Sequence, residues 1–184
     1  MGVYFNTQGN PGVSVTLGCV GEIRWLDDEE QRTWRAFLSA TRLLWAQLDR
    51  ELQAEADMPS SYYAILVMLS EAPERALRMS DLAAGTQSSP SRISHAVGRL
   101  EKTGWVSREI CPTDRRGWYA VLTDAGLATL EAAAPKHVDS VRAHLFDQLS
   151  RTQLSQLRQI SEHLLAHLAT VDETDACTGE GEPV

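Results

Sequence analysis

The order of structural punctuation between Met79 and Gly126 constrains this chain more than any other feature. Met79-Ser80-Asp81-Leu82-Ala83 opens a short helical run. Ser89-Pro90-Ser91-Arg92 opens a second, with Ser89 as N-cap and Pro90 at the first helical position, where its missing N–H costs nothing. In that second run Ile93, Val97 and Leu100 recur at i, i+4 and i+7 and form one buried face, while Ser91, His95, Gly98 and Lys102 occupy the far side. Gly104 stops the helix. Two extended runs follow, Val106 to Cys111 and Trp118 to Leu122, joined through Thr113-Asp114-Arg115-Arg116-Gly117. Fold stability alone does not require two adjacent guanidiniums at such a turn, so the pair points to an anionic partner.

The charge distribution agrees. The chain of 184 residues carries a formal net charge of −8, which argues against nucleic acid until it is resolved along the sequence. Residues 1–59 hold 5 Lys/Arg against 9 Asp/Glu, and residues 124–184 hold 4 against 10; residues 60–123 hold 8 against 6. From Arg92 to Arg116 there are six cations and three anions. A polar, basic helix face of this kind fits a major groove about 12 Å wide, short side chains near base edges and long cations near phosphates.

Short helix, turn, polar helix and basic-tipped hairpin, in that order, resemble the winged helix-turn-helix of the multiple antibiotic resistance regulator (MarR) family. The residues that carry the likeness are Met79-Ser80-Asp81-Leu82-Ala83, Arg99-Leu100-Glu101, Gly104-Trp105-Val106, Arg108, and Thr113-Asp114-Arg115-Arg116 running into Leu122-Thr123-Asp124-Ala125-Gly126. It extends over residues 27–171, and the wing motif is its specific part. The resemblance implies a mainly α fold: a winged helix-turn-helix at about residues 60–123 with a two-stranded β-wing, flanked by dimerisation helices at about 27–57 and 124–171. It also implies a homodimer on double-stranded DNA, with an inverted-repeat operator whose half-sites lie about 10 bp apart. The expected activity is repression by occluding a promoter, relieved by a small aromatic or phenolic ligand. Ser89, Ser91, Arg92, His95, Arg99 and Lys102 would belong to the DNA-reading helix, Arg99 having the alternative of bracing the domain through an acidic neighbour. Asp114 would brace the wing, Arg116 reach the minor groove, and Arg115 contact phosphate. Trp45, Tyr62, Tyr63 and Trp118 would line the effector cleft, with Arg42 or His95 offering charge or a hydrogen bond; ordinary core packing is the competing reading for each aromatic residue.

The flanks supply long amphipathic helices. Asp27 and Glu30 form a capping pair before Trp34, Phe37, Leu38, Thr41, Trp45, Leu48 and Leu52, and this helix ends near Asp57 with Pro59 as its stop. Ser60 or Ser61 caps a helix carrying Ile65, Leu66 and Leu69, which ends before Pro73. Thr123 caps a helix through Leu130, Val138, Val141, Leu145 and Leu149, bent near Pro135, and Ser150 with Gln153 caps a last one carrying Leu154, Leu157, Ile160, Leu164, Leu168 and Val171. These stripes exceed what a winged-helix lobe covers, so they point to a shared interface between protomers. Residues 1–26 have no helical period and read as a flexible extension; the acidic stretch 172–184 reads as disordered.

Other functions find less support. No apolar run approaches the roughly 18 residues of a membrane span, and residues 1–24 lack the pattern of a secretory signal, so a cytoplasmic protein with no membrane partner is expected. His163 and His167 at i, i+4, and His137 and His144 at i, i+7, share helix faces, but no Cys or carboxylate obviously completes a tetrahedral set, although Glu162 is adjacent. A solvated face is favoured over a zinc-responsive regulator. Peroxide-sensing members of the family carry a reactive cysteine where this chain has Trp34 and Phe37, which leaves Cys111 as an inert strand residue rather than a redox sensor. No nucleophile elbow, phosphate-cradling Gly loop or paired carboxylates appear, so neither catalysis nor a cofactor is expected. A winged module serving only dimerisation or protein binding remains the alternative, and it predicts a catalytic domain for which the chain has no residues left.

Overall fold

The computed structural model describes residues 24–110 and 117–177, with side chains described as far as residue 170. Residues up to Ser39 and residues from Ala40 onward form two compact units. The first helix, α1 (Asp28–Ala56), begins in one and continues in the other.

In the first unit the expected capping box is present. The Asp27 carboxylate accepts the Glu30 N–H at 2.8 Å, and the Glu30 carboxylate accepts the Asp27 N–H at 2.9 Å, which satisfies two of the donors that a helix start leaves unpaired. Trp34 and Phe37 stack with ring centroids 6.4 Å apart, both about half exposed.

The second unit holds the core. After α1 come α2 (Ser60–Glu71), a short strand β1 (Ala76–Arg78), α3 (Met79–Gly85) and α4 (Pro90–Lys102). Strands β2 (Val106–Ile110) and β3 (Trp118–Leu122) follow, then α5 (Asp124–His144) and α6 (Arg151–Cys177). Met58, Ile65, Leu66, Leu69, Leu82, Ile93, Val97, Leu100, Val106, Ala120, Leu122 and Leu130 form one buried cluster. Each large member contributes about 1.5–3 kcal/mol of apolar burial. The faces read from periodicity in α2 and α4 are therefore the faces that are buried.

The sheet is antiparallel in the order β1-β3-β2, with Leu77 opposite Ala120 and Val106 opposite Leu122. The sequence showed the two wing strands and not β1, whose three residues offer no alternation to read. Immediately before β1, Glu74 and Arg75 both take left-handed backbone angles (φ 54° and 55°), and Arg75 pairs with Asp124 at 3.1 Å. That ion pair ties the start of β1 to the start of α5.

Three local expectations change. Neither Ser60 nor Ser61 caps α2: Pro59 occupies the N-cap, the Ser60 N–H donates to the Asp49 carboxylate of α1 at 2.8 Å, and the Ser60 hydroxyl is buried without a partner among the described residues. The helix expected to reach Leu149 ends at His144, and a 3-10 turn at Phe146–Gln148 leads to the Ser150/Gln153 capping box, which is present. Pro135 lies inside α5, where the sequence reading placed it. The last helix also runs beyond Val171 to Cys177, into the stretch read as a disordered tail. The extension 1–26 falls outside the described residues up to residue 23, and no described helix is long and apolar enough to cross a membrane.

Candidate nucleic-acid interface

Helix α4 presents the basic face. The Ser89 hydroxyl accepts the Arg92 N–H at 3.4 Å, fixing the first turn, and it also lies 3.2 Å from the Ser91 hydroxyl. Ser91, Arg92, His95, Arg99 and Lys102 are all exposed. Among the described residues, no carboxylate pairs with Arg92, Arg99 or Lys102. The alternative bracing role for Arg99 therefore has no acidic partner here. Three uncompensated cations on one helix form a surface that attracts phosphate.

Tyr62 of α2 stands beside this face. With Ser91, Arg92, His95, Ala96 and Arg99 it lines an open cleft of about 460 Å³. Helix propensity gave no sign of this, because Tyr62 and α4 are brought together only by the packing of α2 against the core.

The far side of the helix differs from the sequence reading at Gly98. Arg108, on β2, reaches across to α4, where its Nη2 donates to the Ser94 carbonyl at 2.6 Å and its Nε lies 3.3 Å from the Glu101 carboxylate. Nε is shielded from solvent, and its alignment with the carboxylate is too poor for a hydrogen bond, so the contact is an ion pair by charge. Gly98 lies beneath this guanidinium rather than on the open face. Sequence reasoning assigned Arg108 no role in the site; the signal that could have found it is a mid-helix glycine, costly in a helix by about 1 kcal/mol and therefore in need of a reason.

At the wing, Asp114, Arg115 and Arg116 lie outside the described residues, as does Cys111. The strands that carry them are in register, Ile110 opposite Trp118. At the other end Thr123 locks the hairpin to α5: its N–H donates to the Trp105 carbonyl at 3.0 Å, and its hydroxyl donates to the Gly104 carbonyl at 2.7 Å while accepting the Gly126 N–H at 3.0 Å. Gly104 takes φ +76°, the left-handed angle that turns the chain from α4 into β2.

The four aromatic residues read as an effector cluster are placed apart. Trp45 is 61% exposed on α1, Trp118 is 46% exposed at the outer end of β3, Tyr62 faces the α4 cleft, and Tyr63 packs against His137 of α5 with ring centroids 4.4 Å apart. Arg42 is exposed on α1. A second cavity of about 470 Å³ between α1 and α5 is lined by Glu51, Leu52, Glu55, Ala128, Ala132, Lys136, His137 and Ser140 among others, and by none of the four.

Titratable groups in and beside that cavity are perturbed. Hydrogen bonds from Ser140, Gln47 and His144 hold the Glu51 carboxyl down to about 2, and His144 Nε2 lies 2.7 Å from it. Burial pushes the His137 imidazole down and the Tyr63 phenol up. No group of three or more His, Cys, Asp or Glu among the described residues is arranged to hold a metal. Both shifts of the α1/α5 contact act in one direction on acidification. The folded state keeps His137 neutral, so its contribution declines below the usual histidine value of 6.5; Glu51 contributes fully above 4.5 and loses that contribution as pH falls toward 2. Urea unfolding of wild type and Glu51→Gln from pH 7 to pH 2.5 should show a stability gap that is constant above pH 5 and closes below it; a gap independent of pH would mean that Glu51 is not held ionised.

Comparison with known proteins fits this geometry. The MarR family profile matches residues 56–117. Sco3205, a MarR family transcriptional regulator from Streptomyces coelicolor solved in complex with DNA, is 49% identical, with 81% of this chain and 93% of that one covered and a TM-score of 0.77. AbsC, a MarR family transcriptional regulator from the same organism, is 44% identical, with 80% and 99% covered and a TM-score of 0.76. The transcriptional repressor MprA of Escherichia coli (strain K12) is 28% identical over 111 residues, 60% of this chain; the match spans 62% of the length of MprA.

Proposed function

The chain belongs to the MarR family of transcriptional regulators, and on that basis we propose that it binds double-stranded DNA sequence-specifically and represses transcription by covering a promoter. The observation that carries this reading is the outer face of α4, where Arg92, Arg99 and Lys102 stand beside Ser91 and His95 with no carboxylate partner among the described residues. Short polar side chains at the start of the helix reach base edges, and the cations anchor it on flanking phosphates. The DNA complex of the 49%-identical Sco3205 supports carrying this to the present chain.

A homodimer completes the mechanism. Two α4 helices related by a twofold axis would enter successive major grooves of an inverted repeat, with Arg116 of each wing in the adjacent minor groove. A small aromatic ligand would release the operator by binding better to a dimer whose lobes have the wrong spacing; linkage then requires it to bind the DNA complex more weakly than the free protein.

Electrophoretic shifts with genomic fragments at two salt concentrations test the central claim. One or a few fragments should shift selectively, and the affinity should fall steeply as salt rises. Arg116→Ala should weaken that binding by about 1–3 kcal/mol with an unchanged circular dichroism spectrum. Failure of every fragment to shift at low salt would remove DNA binding from the assignment; unchanged affinity in Arg116→Ala would remove the wing contact alone.

A further inference from the structure

Arg108 differs from the other cations near α4 because both ends of its guanidinium are engaged within the protein. It stands opposite Ala120 in the sheet, and its side chain is only 26% exposed. The Ser94 carbonyl that it bonds is positioned to accept the Gly98 N–H in the helix ladder, so the guanidinium takes the second lone pair of that oxygen. A Cβ at Gly98 would come within 3.2 Å of Arg108 Nη2, tighter than ordinary contact. The absence of a side chain at 98 thus leaves the path from β2 to Ser94 open. Glu101, one turn past Gly98 and about two past Ser94, supplies the countercharge.

We propose that Arg108 is a positioning residue, a strut that sets the orientation of α4 against the wing hairpin and does not itself contact DNA. The inference rests on the DNA-binding reading given above. A planar guanidinium holding a carbonyl and a carboxylate that belong to residues about two turns apart fixes both the distance and the angle between strand and helix, which a lysine, with a single charged point, does not. Base-edge hydrogen bonds tolerate little change in helix orientation, whereas attraction to phosphate tolerates much. Loss of the strut therefore removes sequence discrimination and leaves non-specific affinity in place.

The test uses the full chain and two duplexes, one carrying the sequence that the wild-type protein selects from a random pool and one of unrelated sequence. Arg108→Ala, Arg108→Lys and Gly98→Ala should each lose about tenfold or more in affinity for the selected duplex, the range expected for losing a charge-assisted hydrogen bond. Binding to the unrelated duplex, and the slope of log affinity against log salt, should not change. A phosphate contact would behave otherwise: Arg108→Lys would retain affinity, and Arg108→Ala would lower the slope by about one and weaken both duplexes alike. That pattern, or full affinity in Gly98→Ala, overturns the proposal. Should the wild-type protein select no sequence at all, the DNA-binding reading fails separately, and hydrogen exchange still decides the strut. Faster exchange across residues 94–102 and 106–110 in Arg108→Lys supports it, and unchanged exchange overturns it.

Discussion

Gly126→Ala is expected to destabilise the protein by about 3 kcal/mol, at the upper end of what overpacking costs. A Cβ on Gly126 would stand 2.1 Å from the Trp105 carbonyl oxygen and 2.8 Å from Leu122 Cδ1. The first of these is backbone, held by the hydrogen bond from the Thr123 N–H, and it has no rotamer through which to yield. Moving α5 outward instead would break the cap that Thr123 provides, worth about 1 kcal/mol, and would part the ion pair between Asp124 and Arg75. Alanine gains about 1 kcal/mol over glycine in helix propensity, too little to offset the clash. Gly85→Ala is the internal control. Its Cβ would meet Met68 Cε at 2.2 Å, but this is the free end of a flexible side chain that can swing away, so the expected cost is small. Urea unfolding of both variants decides the matter, and a Gly126→Ala protein as stable as Gly85→Ala would mean that α5 does not pack against the start of β2 in this way.

The same junction shows what the sequence could and could not disclose. Thr123-Asp124-Ala125-Gly126 was legible as a helix cap following a strand, because a cap is a local pattern of residue types. That Gly126 is required by the carbonyl of Trp105, two elements away, was not legible, since the contact exists only once β2 and α5 have packed. β1 was missed for a related reason: Ala76-Leu77-Arg78 carries no period, and it becomes a strand because β3 offers it a free edge. Ser60 looked like a cap in sequence, yet α2 starts one residue earlier with Pro59 at the N-cap, which leaves Ser60 inside the first turn with its own N–H donated to Asp49 of α1. Tertiary partners decide such cases, and no window of neighbouring residues contains them.

For the candidate site the division is similar. The exposed face of α4 follows from its 3.6-residue period: Ser91, His95 and Lys102 are exposed as the periodicity implies, and Arg92 and Arg99, which the period did not assign to that face, are exposed as well. Gly98 belonged to the same face by period and is instead covered, because a residue from a strand crosses over it. The aromatic residues Trp45, Tyr62, Tyr63 and Trp118 sit in different surroundings, so a shared cleft cannot be read from their chemical likeness; Tyr62 joins the basic face, and Tyr63 of α2 packs on His137 of α5.

Replacing Leu164 and Leu168 by glutamate should convert the protein from dimer to monomer and abolish binding to an inverted repeat. Helix α6 runs for 27 residues, and none of its described side chains is buried. Leu154, Leu157, Ile160, Leu164, Leu165 and Leu168 are all exposed. A helix with that much uncovered apolar surface gains its stability from tertiary packing rather than from propensity, and the described residues of its own chain supply no buried face for it. A second copy of the chain would supply one, since the same stripe is then present on both partners and a twofold contact is self-complementary. Two leucines from each of two chains, at about 2 kcal/mol of burial apiece, amount to about 8 kcal/mol of the association energy before the repulsion among four new carboxylates is counted. A loss of that size raises the dissociation constant by more than about 10⁵-fold, beyond any working concentration. Sedimentation velocity at micromolar protein should therefore show a dimer for wild type and a monomer for the double variant. The variant's α6 should also lose helicity, while the core around Leu66 and Leu100, which does not involve α6, remains folded. A wild-type monomer at that concentration, or a double variant that still dimerises, would exclude α6 as the interface and with it the placement of two reading helices on one inverted repeat.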